Sequence, residues 1–276
     1  MNWQRISIMG CGWLGFPLGL RLLEQDHFVR GSTTTKDKIP LLEQSGIEPY
    51  FLQLDPRING DDVTSFFNVD TVVLNIPPPR VSNRITVMQQ QAGELISYLN
   101  ASPVRRLVMV SSTGVYASKR QDADETDPHP PETDNGRGLV AMETMLSEGL
   151  QASVAVVRMA GLFGPERDPG RFLAGREVSG NGQEPVNMIH LADAVGVITA
   201  LIDQPDLTGA YNACAREHPT REAFYRKASE QAGLAAPVFT DSEPGPWKRI
   251  ISEKIRAATG YGFVYDDPLE GLRDLS

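Results

Sequence analysis

The chain has 276 residues, 41% of them hydrophobic and 22% charged, which is typical of a globular protein large enough to bury a sizeable core. Its formal net charge of −9 at pH 7 argues against a nucleic-acid partner, because such a partner needs a basic face. No segment reads as a membrane span and the two cysteines fit no metal-ligand spacing, so we expect a cytoplasmic protein with neither a membrane partner nor a metal.

Strand and helix patterns alternate through the first half of the chain. This alternation predicts an α/β fold with a Rossmann-type, doubly wound parallel sheet. The predicted strands are Arg5–Met9, Phe28–Thr33, Tyr50–Leu54, Thr71–Ile76, Arg106–Ser111 and Ser153–Arg158. The predicted helices are Leu14–Gln25, Lys38–Ser45, Asp61–Phe67, Asn83–Leu99 and Leu139–Gly149.

Two segments rich in Pro, Gly and polar residues, 121–138 and 164–185, are expected to be irregular loops. Further elements are predicted after them: a helix from about His190 to Asp203, a strand at Ala210–Ala213, and helices near Thr220–Ala232 and Ser252–Ala258. We therefore expect residues 1–163 to form a nucleotide-binding domain to which residues 186–214 return. Residues 164–276 are expected to form a small C-terminal lobe that binds substrate.

A glycine turn follows the first predicted strand and opens the first predicted helix. Gly10 permits the tight bend, Gly12 lets the backbone approach a ligand, and Gly15 lets the helix pack on the strand. The helix then offers free N–H groups and a positive dipole end to an anion. The alternative is a turn that only packs. The pattern favours a dinucleotide pyrophosphate bound by the whole turn: Gly10, Cys11, Gly12, Trp13, Leu14 and Gly15.

The residues after the second predicted strand bear on the choice of cofactor. NAD-binding versions of this fold place an Asp or Glu there to hold the ribose 2′-hydroxyl. This chain instead has Ser32, Thr33, Thr34 and Lys36, with Arg30 close by. Hydroxyls and an ammonium accept a 2′-phosphate that a carboxylate would repel, so we expect NADP(H) rather than NAD(H). The alternative is that Lys36 only begins the next helix in solvent.

Further cofactor contacts are expected where the next three strands end. Asp55 follows the third strand, where it either approaches the adenine or caps a turn with Pro56. Ile76 and Pro77 end the fourth strand, and Ser111 ends the fifth. The carboxyl ends of parallel strands face the crevice in which ligands of this fold bind.

Hydroxyl side chains end the fifth predicted strand, in the run Ser111-Ser112-Thr113-Gly114-Val115-Tyr116. With the glycine turn, this run resembles the extended short-chain dehydrogenase/reductase superfamily, which includes nucleotide-sugar epimerases and dehydratases. The resemblance covers nearly the whole chain and extends to 158–165, 186–193 and 210–213. A closer resemblance is to the bacterial YeeZ-like group, and it is found in residues 12–18, 32–36 and 169–172.

The resemblance implies an NAD(P) cofactor and a reaction at a hydroxyl or carbonyl, such as that of a nucleotide-linked sugar. In the superfamily a Tyr-x-x-x-Lys pair exchanges a proton with the substrate, and a strand-five hydroxyl polarises the same oxygen. By its position in this run, Ser112 corresponds to the hydroxyl that polarises the substrate oxygen. Counting back from Glu143, however, places Asn135 in the tyrosine slot and Leu139 in the lysine slot. Neither side chain can replace its counterpart, so the usual mechanism is in doubt.

Substrate contacts are expected at Thr113, Arg137, Gly161, Phe172 and His190, of which Arg137 would bind a phosphate or carboxylate. Tyr116 is interpreted as structural, and His129 has no identifiable partner in the sequence.

Two functions remain open. The first is an NADP(H)-dependent oxidoreductase, epimerase or dehydratase acting on a small-molecule substrate. The second is a non-catalytic NADP(H)-binding module that reports the redox state of the cofactor, which the missing Tyr and Lys favour. The sequence leaves a monomer or a homodimer open, because the apolar faces of Asn83–Leu99 and Leu139–Gly149 suit either a partner or their own sheet.

Overall fold

A computed structural model describes residues 3–180, 182–240, 243 and 245–275. The chain divides into two compact units. The first contains Met1–Val115, Pro131–Arg158 and Val195–Tyr211, and the second contains Tyr116–Pro130, Met159–Ala194 and Asn212–Ser276. Within the described residues, no helix combines the length and the apolar character needed to cross a bilayer.

The strands, in chain order, are β1 (Arg5–Met9), β2 (Phe28–Thr33), β3 (Glu48–Leu54), β4 (Ile58–Gly60), β5 (Thr71–Leu74), β6 (Arg106–Ser112), β7 (Gln121–Ala123), β8 (Ser153–Met159), β9 (Gly161–Phe163), β10 (Glu177–Val178), β11 (Met188–His190), β12 (Gly209–Ala213), β13 (Val238–Phe239) and β14 (Lys248–Ile250). The α-helices are α1 (Gly15–Glu24), α2 (Ile39–Gln44), α3 (Val63–Phe66), α4 (Arg84–Asn100), α5 (Asp134–Gly149), α6 (Gly170–Leu173), α7 (Leu191–Ile202), α8 (Arg221–Gln231), α9 (Glu253–Thr259) and α10 (Pro268–Gly271). Short 3₁₀ helices lie at Lys36–Lys38, Thr113–Val115 and Leu272–Asp274.

The first unit is built on an eight-stranded sheet with the order β12-β8-β6-β5-β1-β2-β3-β4. The pairs β1–β2, β1–β5, β2–β3 and β5–β6 are parallel, whereas β4 pairs with β3 in antiparallel fashion. All four residues of β5 are buried, as expected for a strand covered on both faces. The predicted Rossmann-type doubly wound sheet is confirmed. The β3–β4 hairpin was missed, because its short second strand carries no clear alternation.

The strand order reverses between β1 and β5. From β1 the chain adds β2 and β3 on one side, and it then crosses to add β5, β6 and β8 on the other. In open α/β sheets, ligands bind in the crevice that such a reversal leaves at the carboxyl ends of the strands. The residues that follow Met9 and Leu74 therefore border the candidate site.

Helix α5 begins at Asp134, five residues before the predicted start at Leu139, so that boundary was wrong. Thr133 caps the helix by accepting a 3.0 Å hydrogen bond from the Gly136 N–H. Gly136 and Gly138 suggested a loop, but they serve close packing. A Cβ on Gly136 would lie 2.5 Å from the Gly114 carbonyl oxygen, and one on Gly138 would lie 2.6 Å from the Met88 sulfur.

Three parallel pairs of short strands occur in the second unit: β9 with β11, β10 with β13 and β7 with β14. Asp193, which is fully buried, accepts hydrogen bonds from the backbone N–H groups of Val264 and Tyr265 and from the Tyr261 hydroxyl. This carboxylate therefore anchors the segment after α9. The second unit also contains a core cluster, formed by Phe163, Val186, Met188, Phe224, Ala228 and Leu272.

Candidate functional site

The glycine turn joins β1 to α1 at the reversal of strand order. Gly10 has φ +103°, and a Cβ there would lie 2.1 Å from the Asn75 carbonyl oxygen. A Cβ on Gly15 would lie 2.2 Å from the Gly10 carbonyl oxygen. At Gly12, by contrast, no atom of the described residues outside Cys11 and Trp13, its neighbours in the chain, comes within 4 Å of a built Cβ. The turn is therefore closely packed at its two ends and open at its centre.

Asn75, the first residue after β5, fastens this turn to the neighbouring strand. Its side-chain amide donates a 2.9 Å hydrogen bond to the Gly10 carbonyl, and its backbone N–H donates to the Met9 carbonyl at 2.9 Å. Asn75 was not among the predicted site residues. A polar side chain directly after the apolar run Val72–Leu74 of β5 was the signal that could have found it.

No side chain caps the N-terminus of helix α1, which is fully described, although within its first turn the Phe16 N–H donates to the Gly12 carbonyl at 2.9 Å and Pro17 has no N–H. This first turn, described in full, contains no acidic residue. The positive end of the helix dipole is therefore not neutralised from within the chain, and such an end favours an anion. The remaining turn residues contribute to packing, since Leu14 is buried and Trp13 is half-buried.

Cys11 lies inside the turn as a buried thiol that donates to the Gly15 carbonyl at 3.6 Å, and its backbone N–H donates to the Ser32 carbonyl. Burial raises the pKa of Cys11 to about 12, although the positive charge of Lys38 opposes that shift. The second cysteine, Cys214, is fully buried, and burial likewise raises the pKa of this thiol to about 12. Both thiols are thus protonated at neutral pH and inert as nucleophiles.

This burial predicts that neither cysteine reacts with a chromogenic disulfide reagent in the native protein at pH 8, and that both react at once in denaturant. Because their native pKa values exceed those of unfolded thiols, their contribution to stability is present at neutral pH. It is lost as the pH rises from about 9 towards 12. Rapid labelling of either thiol in the native protein would contradict the packing of the turn.

Some residues at the end of β2 are buried and hydrogen-bonded, and others are exposed. Ser32 is buried, and its hydroxyl accepts a 3.0 Å hydrogen bond from the Gly10 N–H. Thr33 is also buried and accepts from the Thr35 N–H at 3.1 Å. Thr34 and Lys36 are exposed, and the Lys36 ammonium lies 5.2 Å from the centre of the Phe51 ring. The exposed pair is therefore the part of this segment that a ligand can reach.

The Arg30 guanidinium already has hydrogen-bond and ion-pair partners within the protein. Its Nε donates to a Glu48 carboxylate oxygen at 3.0 Å, and its Nη1 donates to the carbonyls of Ser65 and Asn68. The suggestion that Arg30 helps to attract a 2′-phosphate is thereby weakened, since its charge is already paired. Asp55 is exposed and begins the turn of the β3–β4 hairpin, where its N–H donates to the Arg57 carbonyl.

A buried polar network lies behind the end of β6. The Ser111 hydroxyl donates to Glu143 Oε1 at 2.5 Å, and Arg158 Nη2 donates to Glu143 Oε2 at 2.7 Å. Ser111 and Glu143 are about 5 and 6% exposed. Glu143 thus joins β6 and β8 to α5, and the Ser111 hydroxyl is occupied by this network.

Ser112, the next residue, is half-buried, and its hydroxyl accepts a 3.0 Å hydrogen bond from the Gly114 N–H. This bond leaves the hydroxyl proton available for donation to a substrate oxygen. Thr113 is buried and begins a 3₁₀ helix.

Helix α5 contains Asn135 and Leu139, the two residues that the resemblance assigned to the slots of the usual pair. Asn135 is exposed, and its Oδ1 accepts a 2.7 Å hydrogen bond from Arg84 at the start of α4. Leu139, 5% exposed, lines an apolar pocket. The residues around this pocket come from the ends of β5 and β6 and from α4 and α5: Leu74, Ile76, Pro77, Pro78, Met88, Gln91, Met109, Val110, Leu139 and Met142.

Arg137 is exposed but folds back on the start of its own helix. Its guanidinium donates to Asp134 Oδ1 at 2.6 Å and to the Glu132 carbonyl at 3.1 Å. An incoming anion would have to compete with these partners.

The second unit contains the other predicted residues. Gly161 begins β9, and Phe172 is 40% exposed in α6. His190 is buried and packs against Tyr265 and Phe163, with ring centres 4.2 and 5.3 Å away, and this burial lowers the pKa of His190.

Two residues of the segment after β6 have partners that the sequence did not reveal. The Tyr116 hydroxyl is buried and donates to Asn212, which supports its interpretation as a structural residue. His129 has a partner after all, because its Nδ1 lies 2.9 Å from Asp127 Oδ1. Hydrogen bonds from the His129 backbone and ring and from Gln121 hold the pKa of Asp127 below its usual range, despite the opposing effect of burial.

Comparison with known proteins now places the chain. No protein-family model matches it. Protein YeeZ of Escherichia coli K12 is 36% identical over 269 residues, which cover 96% of this chain and 98% of that protein. The chain belongs to the YeeZ family. The predicted resemblance to the YeeZ-like group is thus confirmed over the full length of the chain.

Solved structures extend the YeeZ-family fold to more distant proteins. A functionally unknown conserved protein from Silicibacter pomeroyi DSS superposes with a TM-score of 0.80 at 24% identity, covering 99% of this chain and 98% of that one. A UDP-glucuronic acid 4-epimerase from Bacillus cereus, solved with NAD, superposes with a TM-score of 0.79 at 15% identity, covering 98 and 94%. At these identities the likeness establishes the fold, which is that of the Rossmann-type epimerases and dehydratases.

Proposed function

We propose that the protein binds NADP(H) at the turn between β1 and α1 and acts on a hydroxyl or carbonyl of a small molecule, of which a nucleotide-linked sugar is the best candidate. The observation that carries the proposal is the open centre of the turn. Gly10 and Gly15 are closed in by backbone atoms, whereas the Cα of Gly12 faces free space. A pyrophosphate needs that free space in order to approach the backbone.

The residues present fit a dinucleotide. The start of α1, which no side chain caps, supplies the positive end of a helix dipole, and the described first turn of the helix has no carboxylate to repel phosphate. The bracing of Gly10 by Ser32 and Asn75 holds the turn in place before a ligand arrives. Such preorganisation lowers the entropic cost of binding.

The preference for NADP(H) rests on Thr34 and Lys36. Both are exposed at the end of β2, the place where a dinucleotide of this fold presents its adenosine ribose. The Lys36 ammonium lies over the Phe51 ring, which limits its freedom. Because Arg30 is paired with Glu48, Lys36 is the side chain on which we base the discrimination.

We expect Lys36→Ala to weaken NADPH binding about 10-fold while changing NADH binding less than about twofold, because one charge-assisted phosphate contact is removed. Isothermal titration with both cofactors measures this. Lys227→Ala, which removes an exposed lysine from α8, is the matched control and should change neither affinity. Equal losses for both cofactors would remove the 2′-phosphate assignment.

The chemistry we propose is a proton and hydride exchange at a carbon bearing oxygen. A nicotinamide held at this turn would supply the hydride chemistry, and the proton on the substrate oxygen would exchange with solvent water. The Ser112 hydroxyl, fixed by the Gly114 N–H, donates a hydrogen bond to the substrate oxygen. In support, a structural relative at 15% identity is a UDP-glucuronic acid 4-epimerase solved with NAD.

A second function is favoured by the chemistry of the two residues that the resemblance assigns to the proton-transfer pair, since Asn135 is an amide bound to Arg84 and Leu139 is a buried leucine. A chain that binds NADP(H) without using it would report the redox state of the cofactor to a partner. The two functions differ in one assay. The enzyme converts some member of a sugar-nucleotide panel into a product that chromatography detects, with a change in absorbance at 340 nm only where the reaction is a net oxidation or reduction, and Ser112→Ala loses that conversion. The reporter binds NADPH tightly and turns over none.

Several expectations from the sequence stay predictions. They are the substrate-binding role of residues 164–276, the cytoplasmic location, the monomeric or dimeric state, and the substrate contacts of Thr113, Arg137, Gly161, Phe172 and His190.

A further inference from the structure

We propose that Arg84 recognises an anionic group on the substrate, so that the site prefers a sugar nucleotide whose sugar carries a carboxylate. This inference rests on the proposed function, whose substrate class it narrows. Arg84 is half-buried and is the first residue of α4, which directly follows the Pro-rich segment after β5. No expectation from the sequence had assigned it a role.

The Arg84 guanidinium contacts Asn135, the residue that the resemblance assigns to the tyrosine slot. Its Nη1 donates to Asn135 Oδ1 at 2.7 Å, and its Nε donates to the Val81 carbonyl at 3.0 Å. These two bonds orient the guanidinium without neutralising it, because neither acceptor is charged. The amide that stands in place of the usual phenol therefore acts as a positioning residue for a cation.

The guanidinium is also placed beside the apolar pocket. Arg84 is one helical turn before Met88 on α4, and Asn135 is one turn before Leu139 on α5. Met88 and Leu139 both line the pocket. Residues four apart share a helix face, so the Arg84–Asn135 pair lies at the end of the pocket nearest the two helix N-termini. Those N-termini follow the carboxyl ends of β5 and β6, which is the ligand-binding edge of the sheet.

The local charge is positive and uncompensated. Among the described residues, no carboxylate lies within 4 Å of the Arg84 guanidinium, although the chain as a whole is acidic. A cation in the first turn of a helix is opposed by the helix dipole, and α4, described throughout, has no acid in that turn. The acid in the first turn of α5, Asp134, is already paired with Arg137. An arginine in this setting gains its counter-ion from a ligand.

The test compares two sugar nucleotides that differ at one carbon. Isothermal titration of UDP-glucuronate and UDP-glucose into the protein saturated with NADPH should give about 10-fold or greater preference for the carboxylate, the gain expected from one charge-assisted contact. Arg84→Gln should abolish that preference and leave the affinity for UDP-glucose within about twofold. Arg84→Lys keeps the positive charge but loses the paired N–H donors of the guanidinium, so it should retain part of the preference for UDP-glucuronate.

Arg80→Gln is the matched control, since Arg80 is an exposed arginine four residues earlier, and it should keep the preference. Thermal melting of each variant confirms folding. A preference that survives Arg84→Gln, or equal binding of the two ligands by the unmodified protein, overturns this inference and leaves the proposed function standing. Failure of both ligands to bind overturns the sugar-nucleotide proposal as well.

Discussion

Gly12→Val should abolish NADPH binding, with a loss of affinity of about 100-fold or more, while the protein folds with an unchanged melting temperature. The physical reason is the space at this position, where a built Cβ has no described atom within 4 Å outside its chain neighbours, while a side chain would occupy the approach of a pyrophosphate. Isothermal titration gives the affinity and a thermal melt gives the stability. Few positions in a chain separate binding from folding so cleanly.

Gly15→Val is the matched comparison in the same turn. Its Cβ would lie 2.2 Å from the Gly10 carbonyl oxygen, so this variant should lose stability as well as affinity. If Gly12→Val bound NADPH as tightly as the unmodified protein, the turn would be a packing device and the proposed cofactor site would be wrong.

Glu143→Ala should destabilise the protein by about 3–5 kcal/mol, the cost of leaving a buried arginine without its counter-ion. Glu143 accepts from both Arg158 and Ser111, and both ends of the ion pair are largely buried, so solvent screens it little. Urea unfolding, followed by circular dichroism, measures the loss.

Two further variants sharpen this result. Glu148→Ala removes an exposed carboxylate from the same helix and should change stability by less than about 0.5 kcal/mol. The double variant Glu143→Ala, Arg158→Leu should recover part of the loss, because no unpaired charge remains. Additive losses from the two single changes would show that the network acts by packing alone.

The order of the main elements could be predicted because local patterns encode it. The strands β1 and β2 were predicted at their observed bounds, and most predicted helices lie within two residues of the observed ones. Short strands such as β4 and β7 were missed, since three residues give too little alternation to detect. Helix α5 was predicted to start too late because its early glycines serve close packing that only the assembled fold reveals.

Contacts between residues that are distant in sequence limit how much of the candidate site could be predicted. The glycine turn is a contiguous motif, and its position between the first strand and the first helix followed from the sequence, whereas the reversal of strand order beside it came from the fold. The pairing of Arg30 with Glu48 and the bond between Arg84 and Asn135 did not follow from the sequence, because they join residues 18 and 51 positions apart. A sequence pattern shows which charged residues are present, whereas the fold decides which of them are already paired.

The central claim is that a dinucleotide lies across the carboxyl ends of β1 and β5 with its 2′-phosphate towards Lys36. A crystal structure of the protein grown with NADPH tests it most directly. We expect pyrophosphate density against the backbone of Gly12 and the start of α1, with the 2′-phosphate near Thr34 and Lys36. Ordered NADPH at any other place in the molecule, or with its adenosine ribose away from the end of β2, would contradict it.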